Sequence, residues 1–267
     1  MTPPDASKNR SVAGKLTALR NHLRVFGPAE TMRAVLAHFG LSHRPAQDHF
    51  DSRHGVSTEG EIEVGDSDLP GPAQAHAIKY QPTHEKVLAD VLARLPGVRE
   101  ETVFVDLGSG KGRVLVAAAR EPYRKIVGVE LSAAYCEDAR QNVAGAAADA
   151  RCRDVEVLCE DVREYDFPEA PLILYLFNPF EAPVLERVLE RLQVSLARSP
   201  RDVWVAYCNP GLGQQVLEQA GFARLSETPV IVPEWTWSLW HASGPGRSRP
   251  SDGDLARDLD RDRDRAG

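Results

Sequence analysis

Val105-Asp106-Leu107-Gly108-Ser109-Gly110-Lys111-Gly112-Arg113 is the stretch from which the fold can be read. The apolar, β-prone run leading into it, residues 102–107, predicts a buried strand. The run after it predicts a helix through Arg120. Three glycines at alternate positions turn one into the other. Without a Cβ, backbone there can turn left-handed and let a ligand come close. The helix start that follows aims free N–H groups and its positive dipole end at the same place. The spacing excludes two phosphate-binding patterns. G-x-x-x-x-G-K-[ST] fails because Gly112 follows Lys111 and no glycine stands five positions before Gly110. G-x-G-x-x-G fails because the third glycine arrives one residue early. A tight turn without a ligand is the structural alternative.

Outward from this turn, strand-like and helix-like segments alternate. Residues 125–130, 154–159, 171–177 and 202–208 read as strands, and 83–95, 132–147, 181–197 and 212–220 as helices. The run 171–177 is apolar on both faces, as a buried parallel strand should be. The last two strands, 222–227 and 234–241, have no helix between them, which predicts an antiparallel hairpin on the sheet edge. The sum is an α/β chain with a Rossmann-like doubly wound sheet of seven strands, the last antiparallel. This domain is expected over residues 80–243.

Residues 1–79 form an N-terminal helical extension and connector. Leu16, Leu19 and Leu23, then Met32, Val35, Leu36 and Phe39, predict two short helices broken at Gly27-Pro28, with these stripes packed on the main domain. Residues 46–79 read as an irregular, partly mobile connector. The tail, 244–267, alternates Asp and Arg with little to bury, so disorder is expected there.

Composition narrows the classes. At 267 residues, 42% hydrophobic and 27% charged, the chain reads as globular rather than fibrous or wholly disordered. Its longest apolar runs are far shorter than the roughly twenty residues of a membrane span, and its first residues lack a signal-peptide core. Cys136, Cys152, Cys159 and Cys208 show no paired spacing, so they read as reduced, buried thiols of a cytoplasmic protein without a metal site. His38, His43, His49 and His54 share no helical face, which gives no ligand set. Residues 1–60 hold eight Lys/Arg against five Asp/Glu, and 61–246 carry −10 of the overall −7. An acidic main domain is a poor match to a phosphate backbone.

Residues 104–119, FVDLGSGKGRVLVAAA, resemble motif I of the class I S-adenosylmethionine-dependent methyltransferases. The resemblance covers about 80–243 and implies S-adenosylmethionine as the methyl donor, held by Asp106, Gly108, Ser109, Gly110 and Gly112. It implies that Glu130, followed by Leu131, takes both ribose hydroxyls. A carboxylate can accept two hydrogen bonds from a vicinal diol. It further implies that Asp161 contacts the adenine amine and that Val162 offers its N–H to the ring. Tyr80-Gln81-Pro82-Thr83-His84-Glu85 is similar to the Tyr…Thr donor loop of non-SET histone-lysine methyltransferases and their DLGSGxGR relatives. By that likeness Tyr80 and Thr83 cover the methionine end of the donor. Thr83 could equally N-cap the next helix, and the two roles are compatible. Bacterial members of that group carry a stretch similar to Phe50-Asp51-Ser52-Arg53-His54-Gly55-Val56-Ser57-Thr58.

Asn178, in Leu176-Phe177-Asn178-Pro179-Phe180, ends the fourth strand, where this family places residues facing the donor. An amide cannot serve as a base, but it can orient an amine. Tyr80 and Asn178 are therefore the expected transfer site, acting on a nitrogen acceptor. Base-modifying relatives carry [DNS]-P-P-[FYW]; here the second proline is missing. With the charge, that favours a protein lysine or a small-molecule amine over nucleic acid. A nucleic-acid base methyltransferase and a non-catalytic donor-binding protein are the alternatives. Tyr207 and Asn209 are further acceptor-pocket candidates, although Asn209-Pro210-Gly211 also reads as a capping turn. Trp235, Trp237 and Trp240 read as packing on the last strand, the first two on one face. Lys111 is expected in solvent and Arg113 beside a neighbouring carboxylate.

Overall fold

The structure, a computed structural model, describes residues 12–38, 48–60, 80–96, 99–177, 180–229 and 236–244. Strands β1 (Val103–Leu107), β2 (Lys125–Glu130), β3 (Val155–Cys159), β4 (Leu172–Phe177), β5 (Asp202–Cys208), β6 (Ala223–Pro229) and β7 (Thr236–Ser243) form one sheet. Its order is β3-β2-β1-β4-β5-β7-β6. The first five strands are parallel, and β7 runs antiparallel to both β5 and β6. The predicted hairpin is therefore present, but β7 slots in beside β5 and leaves β6 as the edge. The order reverses between β1 and β4, so the carboxyl ends of these two strands flank the crevice where open α/β sheets bind ligands.

Strands apolar on both faces need cover on both. On one face, α4 (Glu85–Leu92), α5 (Arg113–Ala118) and α6 (Ala133–Gly145) bury Leu88, Val91, Leu115 and Ala139 against Phe104, Ile173, Trp204 and Trp237. On the other, α7 (Ala182–Arg198) and α8 (Gly213–Gln219) bury Leu185, Val188, Leu192 and Leu217 against Val105, Leu174, Val205 and Trp240. Trp237 and Trp240 thus sit on opposite faces of β7, as its alternation requires; Trp235 lies outside the described residues.

Four expectations need correction. α1 (Val12–Phe26) and α2 (Pro28–His38) form, with Gly27 left-handed between them, but α1 does not dock by the expected stripe, and on α2 only Val35 and Leu36 of it are half-buried. Leu16 is 62% exposed and Met32 61%, and Leu19 and Leu23 also face solvent. A second stripe, Ala18, His22 and Phe26 at i, i+4 and i+8, is buried instead. It wins because it brings a large ring with polar partners. His22 stacks on Phe26 and hydrogen-bonds Thr31 at 3.0 Å, while Phe26 meets the edge of His84. Phe39 lies outside the described residues.

The connector is not irregular throughout. Residues 48–60 carry a short helix, α3 (Phe50–His54), closed by Gly55 in the left-handed conformation. Helix α4 starts at Glu85, and its N-cap is His84, whose Nδ1 accepts from the Lys86 amide at 3.2 Å; Thr83 does not cap it. Cys159, expected buried, is exposed because it ends β3, the outermost parallel strand. The tail beyond 244 lies outside the described residues. Among the described residues, no helix is long and apolar enough to cross a membrane.

Candidate functional site

The turn after β1 is pinned to the tip of β2. The amides of Gly108 and Ser109 both donate to the Val129 carbonyl, at 2.8 and 3.1 Å. Gly108, Gly110 and Gly112 all have positive φ, a region L side chains adopt only with strain. At Gly112 the requirement is doubled, since a Cβ there would meet Ala139 of α6 at 3.0 Å. The Gly110 amide donates to Glu130 Oε2 at 2.8 Å, and the Leu131 and Ser132 amides both donate to Oε1 at 2.9 Å. Three backbone donors thus hold the Glu130 carboxylate at the mouth of the turn.

Asp106 lies beneath, 2% exposed. Its Oδ2 is buried without a hydrogen-bond partner, and so is Ser109 Oγ. Burial, and then the neighbouring Glu130 charge, push the Asp106 carboxyl well above the usual carboxylate range. Buried polar atoms almost always have partners. Two lacking them beside three left-handed glycines fit a ligand that brings its own donors. An ammonium group would satisfy Asp106 and a diol would satisfy Glu130. Past β3, Asp161 accepts from the Arg163 amide at 2.9 Å and is gripped by the Arg163 guanidinium, which holds its carboxyl below the usual range. Val162 beside it is buried.

Tyr80 roofs the turn. Its ring lies so close over Gly110 that a Cβ there would collide with it. The phenol donates to the Thr58 carbonyl at 2.6 Å, and burial pushes its pKa upward. The Tyr135 ring is 5.3 Å away, and the Lys111 ammonium stands 5.7 Å from the Tyr80 centroid, so Lys111 covers the roof as well as meeting solvent. Thr83 is buried, and its hydroxyl pairs with Tyr175 Oη at 2.8 Å. Tyr175 Oη in turn faces Cys208 Sγ at 3.3 Å. The turn, Glu130, Tyr80 and Thr83 are therefore brought together. Asn178 and Pro179 lie outside the described residues. Asn209 is a left-handed turn residue, φ 51°, that exchanges hydrogen bonds with the Thr236 backbone of β7; it does not cap α8, whose N-cap is Leu212. Tyr207 is buried, its ring packed against Gly213.

Sequence reading missed Asp48, Asp51, Thr58, Tyr135 and Asn142 as parts of this site. Arg113 does neutralise neighbouring carboxylates, and they come from far back in the sequence. Its Nη1 donates to Asp48 Oδ2 at 2.7 Å and its Nη2 to Asp51 Oδ1 at 3.3 Å, both more than sixty residues away. Asn142 clasps the Ser57 backbone in both directions and donates to the Lys111 carbonyl at 2.9 Å. The 50–58 stretch is a sequence signal for Asp51 and Thr58 alone; Asp48, Tyr135 and Asn142 lie outside it.

Residues 104–198 match a family model described as a methyltransferase domain. The chain is 30% identical over 118 residues to a protein-lysine N-methyltransferase of Saccharolobus islandicus, covering 42% of this chain and 71% of that protein. Among solved structures, it aligns with an RNA methyltransferase from Salinibacter ruber in complex with S-adenosyl-L-homocysteine, at 24% identity and a TM-score of 0.42, over 64% of this chain and 97% of that one. A further alignment is with an S-adenosylmethionine-dependent methyltransferase from Aquifex aeolicus, at 17% identity and a TM-score of 0.44, over 59% and 88%.

Proposed function

Because this chain belongs to the class I S-adenosylmethionine-dependent methyltransferases, we propose that it methylates a nitrogen acceptor, the ε-amine of a protein lysine. S-adenosylmethionine, when bound, supplies the methyl group. In this reading Asp106 takes the donor's ammonium, Glu130 and the Leu131 amide face its ribose, and Asp161 and Val162 its adenine. Gly108, Ser109, Gly110 and Gly112 form the cradle, and Tyr80 and Thr83 close it. Asn178, following β4, orients the acceptor. Tyr80, together with Tyr135, walls the transfer site with rings.

The observation that carries the acceptor class is that aromatic wall. Tyr80 cannot serve as a base, since burial drives its phenol the wrong way for that. An amine that must shed its proton without a base does so when desolvated, because burial lowers the pKa of an ammonium. A lysine chain, long and apolar to its tip, suits an aromatic portal. The lysine acceptor of the archaeal relative supports the same reading. Acceptor identity is tested by incubating the protein with tritiated donor and a fractionated cell extract. Label recovered as N-methyl-lysine after protein hydrolysis is the expected result. Label confined to nucleic acid or to small amines would overturn the lysine assignment.

A further inference from the structure

We propose that Thr58 and Arg113 are positioning residues for the donor site, and that the 50–58 stretch is a latch that seats Tyr80 over Gly110. The Arg113 guanidinium is 3% exposed and stands in the first turn of α5, directly after the glycine turn. Asp48 and Asp51 neutralise it, and it lies 4.7 Å from the centre of the Phe50 ring. Neutralisation would need no more than the two carboxylates. Two additional bonds run elsewhere: Nε donates to Thr58 Oγ1 at 2.7 Å, and Nη1 to the Thr83 carbonyl at 3.1 Å.

One of those bonds reaches Thr58, which holds Tyr80, and the other reaches the backbone of Thr83. Thr58 is wholly buried. Its amide and hydroxyl both donate to Asp51, at 2.5 Å each, so its peptide is fixed from three sides. Its carbonyl is then the acceptor for Tyr80 Oη. The relay runs from Arg113 through Thr58 to Tyr80 and returns to Gly110, three residues before α5 begins with Arg113. One guanidinium thereby registers the roof against the floor of the cradle. The segment before the methyltransferase domain is in this way part of the donor site rather than a spacer.

The inference rests on the reading of Tyr80 as donor cover, and the experiment separates the two. Titration calorimetry with S-adenosyl-L-homocysteine is run on the full chain and on Thr58→Val, Thr58→Ser, Tyr80→Phe, Tyr80→Ala and the Thr58→Val/Tyr80→Phe double variant. Thr58→Val and Tyr80→Phe should each weaken binding about five- to tenfold, the worth of one buried hydrogen bond. The double variant should be no weaker than the poorer single one, because both act through the same roof. Thr58→Ser, which keeps the hydroxyl, should restore affinity, whereas in Thr58→Val KM for the donor should rise by the same five- to tenfold as the dissociation constant. Unchanged affinity in Thr58→Val, or losses that multiply in the double variant, would overturn the latch. If Thr58→Val does not fold, Tyr80→Phe decides alone, and unchanged affinity overturns the proposal. Unchanged affinity in Tyr80→Ala would instead remove Tyr80 from the donor site.

Discussion

At the scale of single residues, Asp106 and Glu130 are two carboxylates near the ends of the paired strands β1 and β2 whose surroundings push them to different tasks. Asp106 is buried with one oxygen unpartnered, and its pKa is raised. A group with a raised folded pKa prefers its proton in the fold, so burial costs stability at every pH above its unfolded value. Asp106→Asn removes that cost. The variant should melt higher than wild type at pH 7 in the absence of donor and bind donor at least tenfold more weakly, as read by scanning calorimetry and titration. Equal melting at pH 7 and at pH 4 for wild type and variant would contradict the burial argument. Glu130 differs because three amides already hold its carboxylate. Glu130→Ala should cost donor binding about 1.5–3 kcal/mol, the range for bonds to a charged group. It should also lower the melting temperature, since those amides lose their acceptor. Unchanged donor affinity would count against the ribose role.

At the scale of elements, Gly110 tests whether the turn is built for its roof. Gly110→Ala places a Cβ at φ 50°, costing about 1–2 kcal/mol for the left-handed backbone, and drives it into the Tyr80 ring. Donor affinity should fall far more than in Tyr80→Phe, and Tyr80→Ala should partly rescue it by clearing the space. No rescue would mean that the turn itself had collapsed. The same elements show where a sequence can be read. β1, its glycine turn and α5 were legible because strand periodicity, a dense glycine run and helix periodicity abut within some twenty residues. The docking face of α1 was not, because it carries two stripes, Leu16/Leu19/Leu23 and Ala18/His22/Phe26, and the choice between them depends on His84 and Thr31. The slot taken by β7 was not, because strand order is a long-range pairing with no local mark. Nor was the latch: Arg113 finds Thr58 55 residues back and Asp48 65 residues back.

At the scale of the whole molecule, the segment before the domain divides into a part that decorates and a part that completes. α1 and α2 add Phe26 to the core and pair Arg24 with Asp90, the carboxylate that also accepts from Trp237 Nε1 at 3.2 Å. Residues 48–60 supply the carboxylates of Arg113. Deleting 1–38 removes roughly 1.5–3 kcal/mol of buried ring and should lower the melting temperature by about 5–10 °C, leaving donor affinity near wild type. Deleting 1–60 should be far more severe. It leaves a buried guanidinium without its partners, a loss of about 3–5 kcal/mol against a total stability of roughly 5–15 kcal/mol. It also strips the roof of its anchor, so no donor-binding folded protein should be recovered. Acid should mimic the larger deletion in part. Although burial works against it, the Phe50 amide and the Arg113 charge hold Asp48 below its ordinary 3.8. Its contribution is therefore complete above that value and lost as pH falls through the lower folded one. Wild type should begin to lose its latch below about pH 4, and Asp48→Asn should melt lower at pH 7 while losing less between pH 5 and 3. If the 1–60 deletion instead folds and binds donor as tightly as the 1–38 deletion, residues 48–60 contribute nothing to the site, and Arg113 is held by the domain alone.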